Sequence, residues 1–226
     1  MKLKIVGIDA SLSSTGVAVL NDPPGDIYTE AIKSNKTGPV RLIEIRDRVR
    51  EICAGADLVV IEGYAFAQAS QAHQLGELGG VLRTMLHEIG VRVLEVGPGQ
   101  LKKFASGKGN TKKEQMALAI YKRWDREFAT NDEADAFVLV QIGRVYLPRV
   151  SVYCDEGKGK LTVYQQEVID ALRGVQSVGK KKSAKKIVGS GAGDKAGSKA
   201  QGKTGSKTRS KAGDVKVKAK GKVVDR

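Results

Sequence analysis

The sequence predicts an α/β domain built on a mixed five-stranded sheet with helices on both faces. Three observations predict it. Residues 4–20 read as two apolar strands joined by a tight Ser/Gly turn. Residues 57–62 form a continuous apolar run, the pattern of a strand buried on both faces. Segments with helical apolar spacing separate the later strands.

The elements follow in order. The first strand stops being apolar at Asp9; Ser11, Ser13, Ser14 and Gly16 supply turn chemistry, and Val17 resumes the strand. After the turn at residues 21–25, residues 26–33 read as a third antiparallel strand, with Ile27, Thr29 and Ala31 alternating against polar neighbours. Residues 39–54 read as a helix with Pro39 in its first turn and Val40, Ile43 (with Leu42), Val49, Ile52 and Cys53 at helical spacing, with charges on the other face. The strand at 57–62 ends in Glu62. A long helix over 67–89 is rich in small residues: Ala67, Ala69, Ala72, Gly76, Gly79 and Gly80. Close packing on the sheet and close approach of a second subunit both account for them. Residues 91–96 are a short strand, and a basic loop from Lys102 to Lys113 leads into a helix over 111–124. The last core helix covers 131–146, with Ala136, Val140 and Gly143 on one face. Beyond it, 151–154 and 160–163 read as a hairpin, followed by a short helix through Ile169 and Leu172.

The chain has 226 residues and a net charge of +14. That charge is not spread evenly. Residues 179–226 hold 16 Lys and Arg against 3 Asp, a net +13, while residues 1–178 come to +1. All eleven aromatic residues precede position 179. The division is therefore a body over 1–150, an extension over 151–178 and a disordered Lys/Gly/Ala/Ser tail over 179–226 that cannot bury a core. Such a tail suits phosphate backbones, with strong salt dependence and little sequence preference. Cys53 and Cys154 make neither a disulfide framework nor a metal-ligand spacing. The N-terminal apolar run is interrupted by Lys4 and too short for a signal peptide, and the apolar runs fall well below the ~20 residues of a spanning helix. A cytoplasmic protein without membrane association is expected.

Four carboxylates stand out: Asp9 and Glu62 at strand ends, and Asp132 and Asp135 at i, i+3 on one helix face. Singly, each has an ordinary account. Asp9 is a turn residue, Glu62 a solvated strand end, and Asp132 and Glu133 are helix-N-terminal acids behind an Asn131 cap. If the first and fourth strands are neighbours, however, Asp9 and Glu62 emerge side by side. Carboxylates forced together repel unless a cation joins them, and hard oxygen donors suit Mg2+ or Mn2+. Two such ions ~3.5–4 Å apart would serve phosphodiester hydrolysis. Glu133 lies on a different helical face and keeps the ordinary account. His73, His87, Trp124 and Phe128 are expected to be surface or packing residues.

A strand ending in Asp, a strand ending in Glu and a late helix with Asp-x-x-Asp resemble the RuvC-type Holliday junction resolvases, of ribonuclease-H-like fold. The segment 98–116, from Pro98-Gly99-Gln100-Leu101-Lys102 to Lys113-Glu114-Gln115-Met116, resembles that family's basic segment without a gap. The resemblance spans about residues 3–147. It implies a Mg2+-dependent endonuclease acting on branched DNA, with two ions in use and Mn2+ able to substitute. It implies Asp9, Glu62, Asp132 and Asp135 as metal-binding acids, and Lys102 and Lys113 near the scissile phosphates. Lys103, Lys108 and Lys112 complete the basic DNA-binding set. The family's base-stacking aromatic falls at Ala65 here, so flanking Tyr64 or Phe66 takes that role or packs in the core. The resemblance also implies a homodimer, with the helix at 67–89 as its interface.

Three rival readings start from the same residues. An actin-like ATPase or sugar kinase begins similarly but needs a second domain, for which the body has no room, so no nucleotide cofactor is expected. A catalytically inactive branched-DNA-binding protein need not keep the acid quartet. A fork, flap or RNA–DNA hybrid nuclease of the same fold stays open.

Overall fold

The computed structural model describes residues 3–22, 25–63, 72–147 and 160–175. Tyr64, Phe66, Cys154, the expected strand at 151–154 and the basic tail lie outside them. Strand β1 (Leu3–Asp9) pairs antiparallel with β2 (Thr15–Asp22), and β2 with β3 (Ile27–Ile32). Helix α1 (Gly38–Cys53) crosses to β4 (Leu58–Glu62), which lies parallel to β1. Helix α2 (Ala72–Glu88) leads to β5 (Val93–Val96), parallel to β4. The sheet order is β3-β2-β1-β4-β5, so β1 is the central strand. Helices α3 (Pro98–Ser106), α4 (Lys113–Trp124), α5 (Asn131–Tyr146) and α6 (Val163–Leu172) follow.

The alternation of strand side chains divides the core in two. Val6, Ile8, Val59 and Ile61 pack with Ile45 and Val49 of α1 and Leu78 and Leu82 of α2. Ile5, Leu58 and Val60 pack on the opposite face with residues of α3, α4, α5 and α6. Each fully buried aliphatic side chain contributes ~1.5–3 kcal/mol, so both faces of the sheet hold the domain together.

Helix α5 lies almost on the sheet backbone. A Cβ at Gly7 would fall 2.3 Å from the carbonyl oxygen of Ala136, and one at Gly143 would meet Ile5 and Val60. The face expected from Ala136, Val140 and Gly143 is thus the one that meets the sheet.

Four expectations need correction. Helix α1 buries Ile45, Val49 and Cys53, while Val40 and Ile43 are exposed. Apolar residues occur on two sides of this helix, and only the i, i+4, i+8 stripe reaches the sheet. Residues 98–106, of which 102–106 are expected in the basic loop, form α3. Pro98 stands in its first turn, Leu101, Phe104 and Ala105 are buried at helical spacing, and Gly107 closes it in the left-handed conformation with φ 84°. The N-cap of α5 is Thr130, not Asn131. Its Oγ1 accepts from the Glu133 amide at 3.2 Å, and the Glu133 carboxylate accepts from the Thr130 amide at 3.1 Å. Finally, residues 160–162 are not a strand: Thr162 caps α6. The short helix expected through Ile169 and Leu172 is present, and its Val168 and Ile169 are buried in the core.

Candidate active site

The β1–β4 register runs from Ile5↔Leu58 to Ile8↔Ile61. One step further, Asp9 and Glu62 leave the sheet side by side at its carboxyl edge. Alternation puts both on the face of Gly7 and Val60, the face that α5 covers. The other two acids come from the first turns of α5. The hairpin brings them in: Asp9 pairs with Gly16, and a Cβ at Gly16 would fall 2.0 Å from the Asp132 carbonyl oxygen. Thr15, fully buried, closes the turn by donating to the Ser11 carbonyl at 2.6 Å and accepting from the Ser11 amide at 3.3 Å.

The electrostatics follow from this crowding. Burial holds the Asp9 carboxyl well above the usual range, and the charge of Glu62, a hydrogen bond with Glu62 and the charge of Asp132 push the same way. Glu62 is also raised, by burial first and then by Asp135 and Asp132, while the hydrogen bond from Asp9 and the charge of Lys102 oppose the rise. The hydrogen bond therefore favours the proton on Asp9. Asp135 is pushed up to about 7 by burial, then by Asp9, against the charges of Lys102 and Lys113. Among the described residues, no three acidic, His or Cys groups are already drawn together as a ligand cluster. The donor set nevertheless fits a hard divalent cation. It consists of carboxylate oxygens that repel one another and are costly to ionise without a positive charge among them.

The basic segment divides on folding. Lys102, on α3, and Lys113, at the start of α4, carry their charges to the acids: Lys102 to Glu62 and Asp135, Lys113 to Asp9 and Asp135. Lys103 instead pairs with Glu167 of α6 at 2.8 Å. Lys108 and Lys112 are exposed between α3 and α4. The two helices are locked by Ser106 and Thr111, whose hydroxyls lie 2.6 Å apart, and Thr111 Oγ1 donates to the Lys108 carbonyl at 2.7 Å.

The sequence did not single out Arg83, and Ser106 and Thr111 entered only as part of the basic segment 98–116. Arg83 donates to the Glu62 carbonyl at 3.3 Å and to the Gly79 carbonyl at 3.2 Å, and it also bonds Glu95. It ties α2 and β5 to the strand end that carries Glu62. An arginine on an amphipathic helix gives no separate sequence signal. The Ser106–Thr111 pair becomes legible only once α3 is known to be a helix. Cys53 is buried, which pushes its thiol up to about 12 and leaves it a packing group. Trp124 and Phe128 pack on Phe137, with ring centroids 5.6 and 5.0 Å away.

A sheet of this order, with an acid at the end of its central strand, one on the neighbouring parallel strand and two on the covering helix, is of ribonuclease-H-like fold. Residues 5–141 match the family described as crossover junction endodeoxyribonuclease RuvC, and the chain belongs to that family. The RuvC of Carboxydothermus hydrogenoformans is 30% identical over 152 residues, covering 62% of this chain and 95% of the relative. That of Rhizobium meliloti is 25% identical over 146 residues, covering 61% of this chain and 86% of the relative. The structure of Thermus thermophilus RuvC in complex with Holliday junction substrate is 25% identical, with a TM-score of 0.51, covering 61% of this chain and 90% of that one.

Proposed function

We propose that this chain resolves four-way DNA junctions by divalent-metal-dependent hydrolysis of phosphodiester bonds. The observation that carries the reading is the convergence of Asp9, Glu62 and the Asp132/Asp135 pair on one face at the sheet edge, all inside the family match. Asp9, Glu62, Asp132 and Asp135 would hold Mg2+ or Mn2+, which supplies positive charge for the phosphate and for the oxygen that leaves it. The protein contributes the rest. Asp9 and Glu62 are fixed by the strand register and by the Arg83 bond to the Glu62 carbonyl. Asp132 and Asp135 are fixed by the capping box at Thr130 and the close contact at Gly16. Lys102 and Lys113 sit beside the acids as cations for the phosphate oxygens. Lys103, Lys108 and Lys112 extend the basic surface along the DNA backbone, with Lys103 shared with Glu167.

Two strands of a junction must be cut, which asks for two copies of the site. A homodimer through α2 answers this, with the same helix face on both copies. Among the described residues, a Cβ at Gly76 or Gly80 would meet nothing within 4 Å, which favours the subunit-contact account. Tyr64 or Phe66 would stack on an opened base, and the tail over 179–226 would hold DNA by charge. Among the described residues no helix is long and apolar enough to cross a membrane.

The test is cleavage of end-labelled four-way junction, fork, flap, duplex and RNA–DNA hybrid in Mg2+. Symmetric cutting of the four-way junction ahead of the others is expected. Preference for any other substrate would overturn the junction assignment.

A further inference from the structure

The family match ends at Gln141, yet the described structure continues into α6. This helix touches α3 and α5, two of the three helices that furnish charged groups to the site. Against α3 it makes three kinds of contact. Val168 and Ile169 are buried in the same cluster as Leu101, Phe104 and Ala105. Glu167 pairs with Lys103 at 2.8 Å. The Tyr164 ring lies against Gly107, whose added Cβ would sit 3.4 Å from two ring carbons. Gly107 is the residue that ends α3, its amide bonding the Lys103 carbonyl at 2.8 Å. Against α5, Arg173 donates to the carbonyls of Val145 and Tyr146 at 3.0 and 2.9 Å. These carbonyls belong to the last turn and would otherwise lack partners.

Lys102 stands between Leu101, which is buried in the core, and Lys103, which is held by α6. Its reach towards Glu62 and Asp135 therefore depends on the rotation of α3 about its own axis. A turn of the helix that swings Lys103 off Glu167 also swings Lys102 off the acids. We propose that α6 is a strut that fixes α3 in the rotation aiming Lys102 at the acid quartet, with Tyr164 and Glu167 as positioning residues for cleavage. The proposal rests on the nuclease reading only for what Lys102 does to DNA. The aim of Lys102 is readable without cleavage, because a lysine beside carboxylates weakens their hold on a cation.

The experiment is a double-mutant cycle with wild type, Tyr164→Ala, Lys102→Ala and the double variant. Each protein is assayed for single-turnover cleavage of a saturating four-way junction and for Mn2+ affinity by calorimetry. Tyr164→Ala should slow cleavage roughly tenfold, within the ~100-fold that a 1 Å misplacement can cost. The double variant should be no slower than Lys102→Ala alone. Tyr164→Ala and Lys102→Ala should each tighten Mn2+ about threefold, a modest change in a screened charge pair, and the double variant should tighten it no further. A merely structural Tyr164 would give additive losses and weaker Mn2+ binding, and either result overturns the strut. If Tyr164→Ala does not fold, Glu167→Lys repeats the cycle. It sets two ammonium groups against each other at a half-exposed position without touching the core. Should wild type cut nothing, the nuclease reading fails, and the Mn2+ cycle still decides the strut.

Discussion

Gly16 and Asp132 meet without room for a side chain: a Cβ on Gly16 would fall 2.0 Å from the Asp132 carbonyl oxygen. The β1–β2 hairpin and the start of α5 are thereby pressed together, and Asp9, paired with Gly16, faces the acids of the helix.

Gly16→Ala is accordingly expected to push the first turn of α5 away from β1. The overpacking should cost ~1–3 kcal/mol of stability. Cleavage should fall at least tenfold at saturating DNA, because the two halves of the acid set separate. Val40→Ala is the control, an exposed position on α1, which packs on the opposite face of the sheet. Thermal melts and single-turnover assays of both variants check this; equal effects would remove the contact from the account.

Asp135 makes a pH prediction. Its folded-state value is raised to about 7, so the folded protein keeps a proton there that the unfolded chain has already released near pH 4. The stabilisation is complete at and below pH ~4 and is lost as pH rises towards 7. Relative to Asp135→Asn, the metal-free wild type should therefore lose on the order of 3–4 kcal/mol between those limits, because each tenfold difference in proton affinity between the folded and unfolded chain is worth ~1.4 kcal/mol. Added Mg2+ should raise the wild-type melting temperature more at pH 7.5 than at pH 5.5. Urea melts across the range, with and without Mg2+, provide the measurement.

The lysines should separate into two kinds. Lys112 and Lys113 are both exposed, and it is the charge of Lys113 that reaches Asp9 and Asp135. Lys113→Ala should lower turnover of bound junction by ~100-fold, the scale seen when one oriented charge-stabilising group is removed. Lys112→Ala should weaken binding and reduce its salt slope by about one, leaving turnover of bound junction intact. Affinity measured over a salt series, beside single-turnover rates, separates the two.

These charge positions also show what the sequence could and could not reveal. The sheet and the acids were legible because each acid ends an apolar run or stands at helical spacing, and alternation then decides which face it takes. Lys103 was not, since its partner Glu167 lies 64 positions away on a helix whose docking site has no local signal. Helix α3 was hidden by its lysines and bounding glycines, although Pro98 and Gly107 are ordinary start and stop residues. The buried stripe of α1 was legible only in part: Val49 and Cys53 belong to it, but Val40 and Ile43 compete with Ile45 at similar spacing. Only the position of the sheet decides between them.

The tail predicts a division of labour. Removing residues 179–226 takes away a net charge of +13 and leaves a body of net +1. Junction affinity should fall and its salt dependence should flatten, while the turnover of saturated complex stays within about twofold. Loss of cleavage at saturating protein would show that the tail acts in the chemistry.

The central claim is that Asp9 is a buried metal-binding acid whose charge costs the fold stability. Asp9→Asn tests it most directly, through cleavage, DNA affinity and the melting temperature of the metal-free protein at pH 7.5, measured together. No detectable junction cutting, undiminished junction binding and a melting temperature above wild type are expected, because an unfavourable buried carboxylate has been made neutral. Cutting at the wild-type rate would contradict the claim.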